Sequence, residues 1–427
     1  MKHQALINKI LFTVGILILY RFGTHIALPL INLSKLNEFA EMSKTGVFGM
    51  LNMFSGGSIS RMSIFGLGVM PYITSSIVMQ LVVASVPSLK QLKSEGEDGQ
   101  RKISFYTKLL TIVIGMLQGF MFASSFIGSG VNEDIIGAGE FKLLCAVIMT
   151  ISTMSLIWLG DMCTTYGVGN GTSLIIFTGI VAEAPTDLAK AFGLSQSGNI
   201  TIIMLFALIA VFVATIFLVV FFERSNRLIY IQYPRQMQNF VGKRPSIPKE
   251  NYLPLKVNTA GVIPPIFASA ILILPATIVN IIGLKMSTVG NFVMTNFTHG
   301  QPVFVLCYTL LIVFFSFFYN SVIFDTDDIA DNLKKSNVFI PGCRPGTATS
   351  ALIKQIMGRL SLIGAAYLSV VCIIPELLSP IYGYSLLLGG TGVLIVVNVI
   401  IDTTMNIQTS ILSSKYEKAF KKYDRKR

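Results

Sequence analysis

Charge is scarce in this chain: of 427 residues, 13% are Asp, Glu, Lys or Arg, against 52% hydrophobic. Soluble domains carry about a quarter charged residues, so the composition excludes an ordinary water-soluble globule. Histidine is almost missing, and the three present, His3, His25 and His299, fall near ends or loops. The five cysteines, Cys145, Cys163, Cys307, Cys343 and Cys372, are an odd number with no CxxC pair. They read as small buried hydrophobes rather than as metal ligands or a redox pair. No GxxxxGK phosphate loop and no metal-ligand spacing occurs, so neither cofactor nor metal is expected.

What the chain has in abundance is long apolar runs. Ten are found, at about 8–30, 62–86, 104–127, 141–160, 171–183, 199–222, 257–282, 303–324, 359–379 and 383–405. A helix of roughly 20 apolar residues crosses a hydrocarbon layer of about 30 Å, so the chain reads as an all-α polytopic membrane protein. The run 171–183 is short and followed by Ala184-Pro185. It must tilt, continue past the proline, or cross only in part. Nothing before the first run resembles a cleaved signal or transit peptide.

Lys and Arg gather in alternate connections. They fill the stretches after the second, sixth and eighth runs and the end of the chain, whereas 131–140 holds only acids and 376–382 holds no cation. The positive-inside rule then predicts that both termini face the cytoplasm. The net charge of +12 also suits anionic lipids.

The runs themselves show little charge. Arg21, near one end of the first, is the clear exception, and a long side chain there reaches the interface. Ion-coupled transporters place an acid, histidine or lysine near the bilayer midplane. None is evident, so the chain has no engine of its own, and a partner must drive anything it moves. A small-solute secondary transporter is the rival reading, and a membrane scaffold without a pore is a third.

Two regions interrupt the simple pattern. Residues 46–60 (GVFGMLNMFSGGSIS) are too short and polar to span, yet too apolar for an open aqueous loop. They suit irregular backbone held against protein or a water-filled cavity; an amphipathic helix on the outer surface is the alternative. In 257–282, Pro264, Pro265 and Pro275 predict kinks, as does Pro71 in 62–86. Val69, Ile73 and Ile77 recur every four residues, and Ile263 and Ile266 every three, so each set shares a helix face. Periodicity does not choose between lipid, a neighbouring helix and a pore.

Long stretches of unusual composition resemble the SecY protein-conducting channel family, in its bacterial form. They are NMFSGGSISRMSIFGLGVMPYITSSI (52–77), GEDGQRKIS (96–104), YGVGNGTSLIIFTGIVA (166–182), LPLKVNTAGVIPPIFASAILILPATI (253–278), ADNLKKSNVFIPGCRPG (330–346) and GGTGVLIVV (389–397). They occur in the family's order and span nearly the whole chain. The resemblance implies ten transmembrane helices in two pseudo-symmetric five-helix halves around an hourglass pore. The halves would be 1–198 and 199–405, followed by a basic tail, 406–427, with large cytoplasmic loops at about 223–256 and 325–358. It implies a bacterial inner-membrane, non-enzymatic subunit passing unfolded secretory polypeptides and releasing membrane segments sideways.

The resemblance also assigns roles. A pore ring would consist of Val69, where the family usually has isoleucine, with Ile73, Ile176, Ile266 and Ile395. Asn52, Met53, Phe54, Ser55, Gly56, Gly57 and Ser58 would form a plug filling the outer funnel. A lateral gate, where signal sequences would intercalate, would open between the runs 62–86 and 104–127 and the runs 257–282 and 303–324; Gln80, Gln118 and Asn258 on those runs either hydrogen-bond across the seam or serve ordinary interhelical packing. Lys243, Arg244 and Arg344 would dock the SecA motor or the ribosome, and small SecE and SecG membrane subunits would complete the assembly. Two stretches depart from the family pattern: 235–241 (RQMQNFV) is longer and less basic, and Asp325-Thr326-Asp327-Asp328 replaces a segment with Pro and Arg.

Overall fold

The computed structural model describes residues 2–29, 52, 55–126, 137–196, 201–232, 251–282, 296, 301–323, 326–382 and 389–424. Twelve helices run along these segments: α1 (Lys2–Gly23), α2 (Met70–Ser85), α3 (Pro87–Ser94), α4 (Glu97–Phe126), α5 (Ala138–Tyr166), α6 (Gly171–Gln196), α7 (Ile202–Arg224), α8 (Ile263–Ile282), α9 (Pro302–Ile323), α10 (Thr326–Lys335), α11 (Thr347–Tyr382) and α12 (Gly390–Asp424). Every expected run lies on a helix. By length and composition, eight helices among the described residues suffice to cross a membrane, and α2 with α3 makes a ninth. The remaining run is α8, whose apolar stretch among the described residues, Ile263–Leu272, is shorter.

Prolines set several boundaries differently from the sequence expectation. Pro71 lies in the first turn of α2, and residues 62–69 are turns rather than helix. Pro264 and Pro265 likewise follow directly on Ile263, the first residue of α8, and only Pro275 stands within that helix. First-turn prolines lose no helical hydrogen bond, because those N–H groups have no partner inside the helix. The four-residue stripe therefore reduces to Ile73 and Ile77, with Val69 as the N-cap residue before α2. The short fifth run resolves in favour of continuation: α6 passes through Pro185 and reaches Gln196.

At the far end of α2 the chain turns by 106° into α3, which carries Lys90 and Lys93. Helix α4 begins with Glu97 and Asp98, acids that favour a helix N-terminus. It packs on α5 through Gly115 and Gly119, a small-xxx-small face. A Cβ on Gly119 would stand 2.8 Å from the Cα of Ala146, so the two backbones approach as only glycine allows. Helices α11 and α12 have 36 and 35 residues. At about 1.5 Å per residue both overshoot a hydrocarbon layer by roughly 20 Å.

Within 1–196, α1 packs on α5 and α6, α2 on α4, and α4 on α5. Within 201–424, α9 packs on α8 and α11, and α12 on α7 and α11. The two groups meet where α6 contacts α7 and α12 and where α2 contacts α8.

One element is not helical. Strands β1 (Asn226–Ile231) and β2 (Asn251–Lys256) pair antiparallel, with Asn226 opposite Lys256 and Ile231 opposite Asn251. Gln232 bridges to Phe339. Ile229, Ile231 and Leu255 bury one face of this ribbon against Val338, Ile340, Ile353, Met357 and Leu360, a small core beneath the basic connections.

Candidate functional site

The ring residues come from four separate places in the chain. Ile73 lies in the first turns of α2, Ile176 on α6, Ile266 in the first turn of α8 and Ile395 on α12. All four belong to one continuous apolar cluster, in which Ile266 and Ile395 are buried and Ile73 and Ile176 are half-buried. Phe267 stacks on Phe315 at 5.0 Å beside them. Val69 sits in an adjoining cluster with Tyr20, Leu156 and Ile175, and Ile176 belongs to both. The run GGTG explains how Ile395 reaches this depth. A Cβ on Gly390 would stand 2.5 Å from the Val371 carbonyl oxygen, so α12 begins backbone-close against α11. Both helix groups thus contribute branched apolar side chains to one cluster, and none of these side chains requires a hydrogen-bond partner.

The glycine-serine segment lies against α1 and α6. Gly57 N–H and the Ser55 hydroxyl donate to the Asn52 carbonyl at 3.0 and 3.2 Å. Ser60 N–H donates to Asn52 Oδ1 at 2.9 Å, and the Ser58 hydroxyl to the Ser55 carbonyl at 2.6 Å. Ser55, Gly56, Gly57 and Ser58 are all buried, so these four residues do not lie on an exposed surface; 46–51 lie outside the described residues. Met53 and Phe54 lie outside the described residues. Helix α1 supplies two donors: Arg21 Nη1 to the Gly56 carbonyl at 3.0 Å and the Tyr20 hydroxyl to the Ser55 carbonyl at 3.4 Å. Farther on, Leu28 and Ile64 pair with the 62 and 26 carbonyls, and Thr153 of α5 donates to the Gly68 carbonyl.

Charge clusters here more than the sequence implied. Because α6 continues to Gln196, Glu183 stands inside a spanning helix rather than at its end. The expectation of spans without an acid is corrected accordingly. Its carboxylate crowds Gly57, where a Cβ would stand 2.4 Å from Glu183 Oε1 and 3.2 Å from Arg61 Nη2. Arg61 Nη1 is buried with no hydrogen-bond partner. His25, just beyond α1, is pushed below its ordinary pKa by loss of hydration, with Arg61 and Arg21 adding to it.

The seam residues do not bond to one another in the way the sequence suggested. Gln80 is exposed and bonds Ser76 of its own helix at 3.3 Å, and Gln118 is half-buried on α4. Asn258 precedes α8, in the turn after β2. Its amide donates to Glu223 Oε1 at 2.6 Å and to the Gly261 carbonyl at 3.1 Å. The Tyr367 hydroxyl donates to the same Oε1 at 2.9 Å, while the Tyr367 ring stacks on Phe222 at 4.7 Å. Thr259 donates to Asn320 Oδ1, and Asn320 to Ser361. The start of α8 is therefore tied to α7, α9 and α11. Sequence reasoning missed Glu223 because an acid before Arg224, closing an apolar run, reads as a solvated end.

Arg344 is exposed on a turn shaped by Gly342 at φ +84° and Gly346 at φ +106°. Thr349 closes that turn by donating to the Arg344 carbonyl at 2.9 Å. Lys243 and Arg244 lie outside the described residues. Cys145, Cys163 and Cys372 are buried free thiols, Cys307 and Cys343 half-buried ones. Among the described residues no group of His, Cys, Asp and Glu suits a metal ion.

The SecY family profile matches residues 63–404. The protein translocase subunit SecY of Rickettsia bellii is 44% identical over 420 residues, covering 98% of this chain and 96% of that protein. Among solved structures, one described as the structure of a protein conducting channel aligns with a TM-score of 0.67 at 18% identity, covering 96% of this chain and 93% of that one. Sec61 in the canine ribosome-channel complex aligns at a TM-score of 0.63 and 18% identity over the same shares.

Proposed function

The chain belongs to the SecY family, and on that premise we propose that it is the central subunit of a Sec protein translocase, a passive channel for unfolded polypeptides. The observation that carries this reading is the convergence of Ile73, Ile176, Ile266 and Ile395 in one apolar cluster, joined to Val69 through Ile176. A neck lined by branched hydrocarbon makes water and ions costly to admit. The same side chains shift around a passing chain of any sequence, since they offer no polar contact that must be matched. Exclusion of ions and tolerance of sequence come from one chemistry.

In this reading the residues at 52–58 are a stopper on the outer side of the ring. Helices α2 and α4 face α8 and α9 across a seam that opens toward lipid. An apolar signal sequence binds the parted seam better than the closed one and so holds it open. The two groups of helices act as the halves 1–198 and 199–405, with the tail 406–427 beyond them. Cations in the connections after α2, α7 and α9 favour a bacterial inner-membrane topology with both termini cytoplasmic. On that face Arg344, with Lys243 and Arg244, meets the SecA motor or a ribosome. Arginine suits such docking because its planar head pairs with carboxylate or phosphate. The small SecE and SecG subunits and anionic lipid surround the channel. Glu183 does not revive the solute-transporter reading, because it abuts Gly57 and Arg61 rather than an open substrate cavity.

The test is reconstitution with the small subunits, SecA, ATP and a secretory precursor. Import of the precursor into protease-protected vesicles is expected. Its failure, with inserted and correctly folded channel, would overturn the proposal.

A further inference from the structure

We propose that Gly179 and Arg21 form the seat of the 55–58 segment, so that this segment is carried by α1 and α6 and leaves the neck in a step distinct from the parting of the two helix groups. The inference rests on reading 52–58 as the stopper, and it adds where the stopper is held and by what.

The contact is backbone upon backbone. Gly56 has φ +65°, and a Cβ built on it would lie 2.7 Å from the Cα of Gly179 and 2.8 Å from its carbonyl oxygen. Two glycines therefore approach each other, one on the segment and one on α6, at a spacing that no side chain on Gly56 permits. The Gly56 carbonyl also accepts a hydrogen bond from Arg21 Nη1 at 3.0 Å. Tyr20, one residue before Arg21, donates to Ser55, and Gly57 lies against Glu183, one turn beyond Gly179. Each of these ties runs to α1 or α6, which belong to the same helix group.

That arrangement has a mechanical result. When α2 and α8 separate at the seam, none of these contacts is strained, so the segment stays in place. Releasing it requires breaking the glycine contact and the Arg21 hydrogen bond themselves. An apolar wedge in the seam and a displaced stopper are then two events, coupled only if the arriving chain itself pushes the segment off.

The test uses the full channel with its small subunits in planar bilayers, and a Ser58→Cys background probed from the outer side with a membrane-impermeant maleimide. Gly179→Ala puts a methyl group on the residue whose backbone Gly56 approaches, whereas Gly193→Ala, on the same helix, adds one in open space. Overpacking a close contact shifts a two-state balance by roughly tenfold, so Gly179→Ala should raise both resting ion conductance and thiol labelling at position 58 by about that factor. Gly193→Ala should change neither. Arg21→Gln, which adds no bulk, should act in the same direction and covers the case in which Gly179→Ala folds poorly. A disulfide engineered to lock α2 to α8 should leave the increase in labelling intact. The proposal is overturned if both Gly179→Ala and Arg21→Gln behave like Gly193→Ala, or if the lock abolishes the increase. Deleting 55–58 separates the two layers of argument. A leak from the deletion with none from the substitutions refutes the seat alone, while no leak from the deletion refutes the stopper as well.

Discussion

Replacing Glu223 should loosen the start of α8, and the size of the effect follows from its contacts. At 8% exposure its Oε1 accepts from Asn258 at 2.6 Å and from Tyr367 at 2.9 Å. Glu223→Ala orphans two buried donors, at about 1–3 kcal/mol each. Asn258 keeps the Gly261 carbonyl, which places its share at the low end, and relief from burying a carboxyl group offsets part of the rest. A net loss of about 2–4 kcal/mol is expected. Tyr367→Phe removes one donor and keeps the ring on Phe222, so it should cost about 1 kcal/mol. Once Glu223 is alanine, the same change should instead recover about 1 kcal/mol, because it removes a buried hydroxyl left without its acceptor. The coupling in a double-mutant cycle should thus reach about 2 kcal/mol. The assay is thermal unfolding of the purified channel in detergent, read for all four variants. Additive losses, within about 0.3 kcal/mol, would refute the shared acceptor.

Serine at Ile73, Ile176 and Ile266 together should hydrate the neck and raise resting ion leak, and unchanged single-channel conductance would reject their grouping as a gate. Arg344→Glu should reduce SecA-driven import severalfold by reversing the charge presented on the Gly342–Gly346 turn, while insertion of the channel stays normal; full import would remove Arg344 from the docking surface. Gly119→Leu should destabilise the α4–α5 contact by about 1–3 kcal/mol, since its side chain would collide with Ala146, and a melting temperature equal to wild type would contradict the close approach. Cysteines placed at 415–427 should react with an impermeant reagent only in inverted vesicles, and labelling from the outside would reverse the proposed topology.

Much of the fold could be read from patterning, because hydrocarbon imposes a single demand on every spanning segment. The apolar runs carry it, and all ten fall on helices. Positions of helix ends were harder. Pro71, Pro264 and Pro265 looked like interruptions, but a proline is compatible with a first turn, and only the starting residue of the helix decides between the two. Pro185 and Glu183 seemed to end a short span, yet the helix runs through both. The strand pair was legible in principle, since NRLIYI alternates in burial at Leu228, Ile229, Tyr230 and Ile231; the surrounding charge hid it. The gathering of the four isoleucines could not be deduced from spacing, because they are up to 322 positions apart and meet only through tertiary packing. Glu223 and Gly179 were invisible for the same reason: an acid closing an apolar run and a glycine within one are commonplace until their neighbours are known.

Helix α12 begins five residues before Ile395 and continues unbroken to Asp424. From Ile395 to its last turn it measures about 44 Å, of which about 18 Å lies beyond Leu412, where its membrane-long apolar stretch ends. If Ile395 lines the ring as proposed, α12 is a lever with one arm at the ring and the other beyond its apolar stretch. A body grasping the outer arm and swinging it by about 5° would displace that arm by about 4 Å and turn the isoleucine with it. In that reading, force applied beyond the apolar stretch has a stiff route to the proposed ring, without any loop to absorb it.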